Sequence, residues 1–235
     1  MQDYSQAISL AAQLIGSGDA ALLEIIVLSL KVSFGAMLAS CLIGFPLGAM
    51  LAVTRFPGRT VVLTVLNALM GLPPVVVGLI VYLHLSNAGP LGFLQLLYSP
   101  TAMVIAQTIL IAPIIAALSR QVLEDLHAEY REQFRSLSVP PVVAMIALVR
   151  DARYSLLTVS LAGFGRGIAE VGAVMIVGGN IDHLTRVMTT AIALETSKGD
   201  LPLALALGIV LLLLSLLVNA LVMGLRSSAR QQAYA

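Results

Sequence analysis

Arg166 and Glu170 stand four residues apart in "GFGRGIAEVGAVMIVGGN", residues 163–180, a stretch that is otherwise small or apolar. A guanidinium and a carboxylate at that spacing share one face of a helix and can pair. Either charge alone at the centre of a bilayer costs about 2.5 kcal/mol or more on insertion scales. Three roles are open to the pair. It can be a structural ion pair at a helix–helix contact, where Gly163, Gly165, Gly167 and Gly172 let a second helix approach closely, a contact that could join two copies of the chain. It can border an anion path, with Arg166 lending positive potential and Glu170 keeping the anion from binding too tightly. Or Arg166 can lie at the membrane interface. The structural role is preferred, with Glu170 on a hinge face and Arg166 its partner.

A second group of chemical interest follows in "GGNIDHLTRVMTTAIALETSKGD", residues 178–200. Thr185, Arg186, Thr189, Thr190 and Glu195 include hydroxyl and guanidinium donors that suit a tetrahedral oxyanion. The preferred reading is a docking surface for a soluble partner, and the two roles are compatible. Catalytic groups are not evident. His84, His127 and His183 do not cluster, and His183 reads as a surface residue. The single Cys41 forms no internal disulfide or thiolate metal site and reads as a packing residue. No nucleophile–base set, H-E-x-x-H or cofactor fingerprint occurs. Without G-x-x-x-x-G-K-[ST] the chain does not bind ATP by that route. An enzyme of the membrane is therefore set aside, and no metal or cofactor is expected on this chain.

The elements that hold these residues are membrane spans. Of the 235 residues, 59% are hydrophobic and 11% charged, against roughly 25% charged in soluble domains. The net charge of +1 gives no reason to expect a nucleic-acid partner. About 20 apolar residues cross the hydrocarbon core, and five candidate spans follow: 25–54, 61–85, 101–119, 155–179 and 203–225. The fold class is all-α integral membrane. In the first span Lys31 can snorkel to the interface, and Gly44, Pro46 and Gly48 are expected to bend the helix near its end. In the second, Pro73 and Pro74 remove two backbone donors and favour a break. The freed carbonyls need protein or a wet cavity. The third opens on Ser99 and Pro100, a good cap and a good first helical residue.

Nine basic residues, Arg55, Arg59, Arg120, Arg131, Arg135, Arg150, Arg153, Arg226 and Arg230, fall on one side. Only Arg186 and Lys198 fall on the other. The excess marks the cytoplasmic side, so the N-terminus lies outside and the C-terminus inside. Residues 1–24 read as an extracytoplasmic polar or interfacial lead-in; with Asp3 and Asp19 and no basic start, they are not a signal peptide. Residues 25–225 form one transmembrane domain, and 226–235 a short cytoplasmic tail. The inner loop, about 120–154, and the outer loop, about 180–202, are long enough to carry structure of their own. In the inner loop Leu126, Tyr130, Phe134 and Leu137 recur at helical spacing. They predict an amphipathic helix ending near Ser138, before Pro140 and Pro141. A second helical stretch is expected at 142–150. The first helix can lie on lipid headgroups, or its apolar stripe can dock into a groove on a soluble partner. In the outer loop, 187–196 suits a short helix or a re-entrant segment.

"EQFRSLS", Glu132 to Ser138, resembles the cytoplasmic E-A-A-x-x-x-G loop of ABC importer permeases. Glu132 keeps the acid, Gln133 and Phe134 stand for the alanines, and Ser138 stands for the glycine. The family's I-x-L-P is represented only by Leu148-Val149-Arg150-Asp151. "GLPPVVVGL", "NAGPLG", "SPTAMVIAQTILIAPI", "GRGIAEVGAVMIVGGNI" and "TRVMTTAIALETSKGD" follow in an order similar to the permeases of oxyanion importers, the molybdate, tungstate and sulfate group. Residues 163–200 look most like the tungstate type. Glu170 and Gly179-Asn180 match an acid and a G-N found at comparable positions there. The resemblance spans about 25–225 and implies a type I importer permease fold. It implies a homodimer, each copy docking a cytoplasmic ATPase that uses ATP and Mg, and an extracytoplasmic protein that delivers the anion. Carried onto this chain, the coupling loop is Tyr130, Arg131, Glu132, Gln133, Phe134, Arg135 and Ser138. Path or gate candidates are Pro73, Pro74, Gly78, Arg166, Glu170, Gly178, Gly179 and Thr189. Binding-protein contacts are Asn180, Asp182 and Arg186. The alternative is a self-contained ion-coupled transporter, for which the proline break and the buried charges are suited.

Overall fold

A computed structural model describes residues 2–18 and 20–233. Asp19 and the last two residues of the expected tail lie outside the described residues. The chain is all-helical: α1 (Gln2–Ser17), α2 (Ala20–Val53), α3 (Arg59–Leu69), α4 (Pro74–Leu85), α5 (Pro100–Ser136), α6 (Pro141–Asp151), α7 (Arg153–Ile168), α8 (Gly172–Gly178), α9 (Met188–Lys198) and α10 (Leu201–Ala233). Ala20–Val53, Pro100–Ser136 and Leu201–Ala220 are long and apolar enough to cross a bilayer unbroken. α3–α4 is bent by 97° and α7–α8 by 60°; with each pair taken as one crossing, the spans number five.

The centre of the fold is the α2–α5 pair, the most extensive helix contact in the molecule. A Cβ at Gly44 would stand 2.7 Å from Ile115, and one at Gly48 would stand 2.9 Å from both the Ala116 carbonyl oxygen and the Arg120 nitrogen. These glycines therefore serve close approach of two backbones. α2 runs unbroken through Pro46 to Val53. Ser119 buries its hydroxyl at the same seam and donates to the carbonyls of Gly44 (3.3 Å) and Ala116 (3.2 Å).

α3–α4 runs antiparallel to α5. Arg59 meets Glu124, Leu66 packs with Ala116 and Ala117, and Val77, Val81 and Leu85 pack with Ala102, Met103, Ala106 and Leu110. The break falls where the missing proline donors put it: Pro73 is extended (φ −64°, ψ 121°) and Pro74 is the first residue of α4. At the start of α5, Ser99 caps the helix by accepting from the Ala102 nitrogen at 3.3 Å, with Pro100 at the first turn, as the sequence predicts.

The third span and the amphipathic helix expected after it form one element, because α5 continues without interruption to Ser136. Its 37 residues make a rod of about 55 Å, well beyond the ~30 Å hydrocarbon core. Hydropathy falls after Ser119, but nothing between 120 and 136 breaks a helix, since neither glycine nor proline occurs there. The lead-in is likewise structured, as helix α1 packed along α10, and α2 starts at Ala20, five residues before the expected span.

Candidate functional site: the junction of the two broken spans

The fourth predicted span does not run unbroken from 155 to 179. α7 ends at Ile168, and Glu170 lies in the break before α8. No proline marks this break. Glu170 stabilises it by accepting from the Ala173 nitrogen at 3.2 Å, which satisfies one of the free donors at the start of α8. Its other oxygen accepts from Arg166 Nη1 at 2.7 Å. The expected pair therefore forms, although its acid caps a new helix instead of sitting mid-span. Glu170 is only 4% exposed and Arg166 35%.

The structure brings the two breaks together. Val75, just after Pro73–Pro74, packs on Gly172, where an added Cβ would meet it at 2.9 Å. One turn on, Gly78 faces Ala173 so closely that a Cβ would stand 2.8 Å from its Cα. Two candidate path segments, nearly a hundred residues apart in sequence, thus form one joint. On the other side of α7, Gly163 and Gly167 admit Ile111 and Ile115 of α5, whereas Gly165 faces open space. The expected close helix approach is therefore made within the chain, against α5.

Behind the joint lies a polar cavity of about 10 Å³, lined by Ser29, Ser33, Gln107, Glu170 and Thr189 together with apolar neighbours. That is room for about one water, so a five-atom oxyanion does not fit unless the surrounding helices part. Gln107, 3% exposed, donates from Nε2 to the Gly167 carbonyl at 2.9 Å, while its Oε1 has no partner among the described residues. Sequence reasoning missed Gln107, Ser29 and Ser33. A usable signal was present, because Gln107 is the single amide in the apolar run 101–119.

The outer segment is knotted to this joint by hydroxyls. Thr189 donates to the Glu170 carbonyl at 2.9 Å. Thr185 donates to Gly178 and accepts from the Ile181 nitrogen. Thr190 bonds both the carbonyl and the nitrogen of Val187, and Ser29 accepts from the Met188 nitrogen. Thr185, Thr189 and Thr190 are buried, so they hold the backbone and are not free donors for an oxyanion. Arg186 is tied to Asp182 at 2.7 Å, and Glu195 to Lys198. Gly178 and Gly179 are packed against Met103 and Tyr98, and Gly179 ends α8 at φ +70°. Asn180, at φ +50°, reaches the Thr190 carbonyl at 3.4 Å. α9 is a helix at 188–198, close to the expected 187–196. His183 is exposed and bonds Glu24 at 2.7 Å; that hydrogen bond and the carboxylate charge push its pKa up.

At the opposite end, α5 turns at 137–140 into α6. Ser138 adopts φ +50°, a left-handed conformation that glycine takes far more easily. This explains physically why a glycine can stand at that place in a related motif. Leu126, Tyr130 and Phe134 do not form a free docking stripe. They pack inward with Leu123, Leu148 and Val149 against the end of α2, and Tyr130 donates to Asp151 at 2.9 Å. The apolar surface left open is Leu137 (74% exposed) with Val142, Val143 and Ile146 of α6. Arg131, Glu132, Gln133 and Arg135 are exposed beside it.

A chain of bent apolar spans joined at a polar knot, with an exposed helical turn at one end, fits a transport component. Residues 44–231 match the family described as binding-protein-dependent transport system inner membrane component. The chain belongs to that family. It is the membrane permease of an ABC importer, a multi-pass inner-membrane protein that works with a separate ATPase and a binding protein and is not itself the ATPase. The self-contained ion-coupled transporter is thereby set aside. Among curated proteins the chain is similar to the tungstate uptake system permease protein TupB of Peptoclostridium acidaminophilum, 39% identical over 96% of this chain and 99% of that one. It is 41% identical to a probable anion ABC transporter permease protein of Haloferax volcanii, over 85% of this chain and 88% of the other. The sulfate transport system permease protein CysT of Salmonella typhimurium is 28% identical over 81% and 71%.

Proposed function

We propose that this permease passes tungstate inward, ahead of molybdate or sulfate as cargo. The observation that supports this most is the 39% identity to a tungstate uptake permease along nearly the whole of both chains. Two copies form the membrane unit, and each docks one cytoplasmic ATPase subunit that binds and hydrolyses ATP with Mg. The nine-to-two bias of basic residues supports an outside N-terminus and a cytoplasmic C-terminus. The extracytoplasmic lead-in is residues 1–24, the permease domain 25–225 and the cytoplasmic tail 226–235.

The docking element is the α5–α6 turn: Arg131, Glu132, Gln133, Arg135 and Ser138 at its edge, with Leu137 and the exposed face of α6 at its centre. Tyr130 and Phe134 support it from behind. Asn180, Asp182 and Arg186 face the binding protein. The Pro73–Pro74 and Glu170 breaks, with Gly78, form the gate. Its opening is what makes room for the anion, because the closed joint holds no more than a water.

The test is co-purification and uptake in one strain. Wild type and Leu137→Glu, a change at an exposed side chain, are expressed with the partner ATPase and binding protein. Wild type should retain the ATPase and raise cell-associated tungsten over molybdenum and sulfate sulfur. Leu137→Glu should reach the membrane, lose the ATPase and lose uptake. Retention of the ATPase by Leu137→Glu would refute the docking surface, and preferential uptake of another oxyanion would refute tungstate.

A further inference from the structure

Where α2 ends and α3 begins, the lower half of α5 faces a basin of guanidiniums. Two adjoining cavities of about 660 and 460 Å³ share Arg55, His127 and Arg131. Arg135 joins them from one side and Arg59 from the other. Among the described residues, the only acid on either wall is Glu124. Both of its oxygens are already occupied, one by Arg59 at 2.9 Å and the other by Arg120. Arg59 also donates to the Leu51 carbonyl from Nε and Nη2. No carboxylate among the described residues lies within ion-pair distance of Arg55, Arg131 or Arg135.

Three uncompensated guanidiniums around one concavity repel one another and attract a multivalent anion. The wall beside them is apolar. Phe56 is half-exposed in the smaller cavity, and α3, which begins at Arg59, turns Val61, Val62 and Val65 outward. A site that offers arginine donors to a tetrahedral oxyanion and, next to them, a greasy helix face has the two halves of a phospholipid. The geometry points to Arg55, Arg131 and Arg135 as a binding site for an anionic phospholipid, whose phosphate they hold while an acyl chain lies along Phe56 and α3. A free oxyanion would use the same guanidiniums but leave the apolar wall unused. The source is the cytoplasmic leaflet, which rests on the proposed orientation.

The test is native mass spectrometry of the full chain, alone and with its ATPase, titrated with phosphatidylglycerol, with phosphatidylcholine, and with sodium phosphate or tungstate. Wild type should bind phosphatidylglycerol in preference to phosphatidylcholine, with and without the ATPase. Arg55→Gln lies outside the docking turn. It should weaken that binding about fivefold, as expected for one basic residue at a membrane surface, while still retaining the ATPase. Arg55→Lys should keep most of the binding. Equal binding of the two lipids, or binding unaffected by Arg55→Gln, would overturn the site. Competition by millimolar phosphate or tungstate that removes the lipid would overturn lipid as the source of the anion. Loss of lipid only when the ATPase is present would assign the basin to that protein instead. Because ATPase retention is read separately, failure of this site and failure of the docking turn are distinguishable.

Discussion

Arg166→Met tests the joint of the two broken spans most directly. It leaves the Glu170 carboxylate, 4% exposed, with its Arg166 donor gone and only the Ala173 nitrogen at 3.2 Å remaining. Breaking a buried pair by removing one partner costs about 3–5 kcal/mol, because the remaining charge is uncompensated. Glu170→Gln is milder. The amide oxygen still caps α8, and the charge left behind is that of Arg166, which at 35% exposed is less enclosed than the carboxylate. The loss is then of one charge-assisted hydrogen bond, about 1.5–3 kcal/mol. The double substitution restores neutrality and should be no worse than Glu170→Gln alone. In the complex purified in detergent, about 1 kcal/mol moves the unfolding midpoint by roughly 2–4 °C for a chain of this size. Arg166→Met should therefore fall by roughly 6–20 °C, with most of that recovered on adding Glu170→Gln. If Arg166→Met is no worse than Glu170→Gln, or the double variant falls by the sum of the two, the carboxylate is not dependent on its arginine. The account of the joint then fails.

Gly48→Ala would press a methyl against the backbone of α5, 2.9 Å from the Ala116 oxygen and the Arg120 nitrogen. A loss of about 1–3 kcal/mol is expected, whereas Gly165→Ala, with nothing within 4 Å, should be neutral or stabilising; melting of the two variants decides it. Ser138→Gly should raise stability by up to about 1 kcal/mol by relieving a left-handed serine, and Ser138→Val should lower it, so a series of midpoints ordered Gly, Ser, Val is the expected outcome. His183 has its pKa raised by Glu24, so its contribution is complete below the ordinary histidine value of about 6.5 and fades as pH rises through the raised folded value. Protection of residues 180–186 in hydrogen exchange, corrected for intrinsic rates, should fall across that window in wild type and stay flat in His183→Gln.

What the sequence made legible was local chemistry. Pro73–Pro74 lacks two donors wherever it is placed, so the first break was readable. Ser99–Pro100 caps a helix by itself, and Arg166 and Glu170 are neighbours on any helical path. The second break was not readable, because Glu170 caps α8 only once the glycines of α7 have admitted α5 and Thr189 has tied down its carbonyl. Periodicity showed that Leu126, Tyr130 and Phe134 share a face. It could not say what covers that face, and the cover is α6 and α2 of the same chain. Oxyanion-like donors in the outer segment were legible as residue types. Their hydroxyls, however, are consumed by a backbone that turns through positive φ at Asn180 and His183. Gln107 was masked by the apolar run around it.

The uninterrupted course of α5 has a mechanical consequence. One continuous helix joins the Leu137 turn to the packing of Ala102–Leu110 against α4. A push at one end of a hydrogen-bonded rod is not dissipated by an intervening loop. Pro113, where one bond of the ladder is missing, is the only proline in its interior and hence its most compliant point. α5 is thus a single stiff member between the turn and the joint, and α2 is seated along it through Gly44 and Gly48.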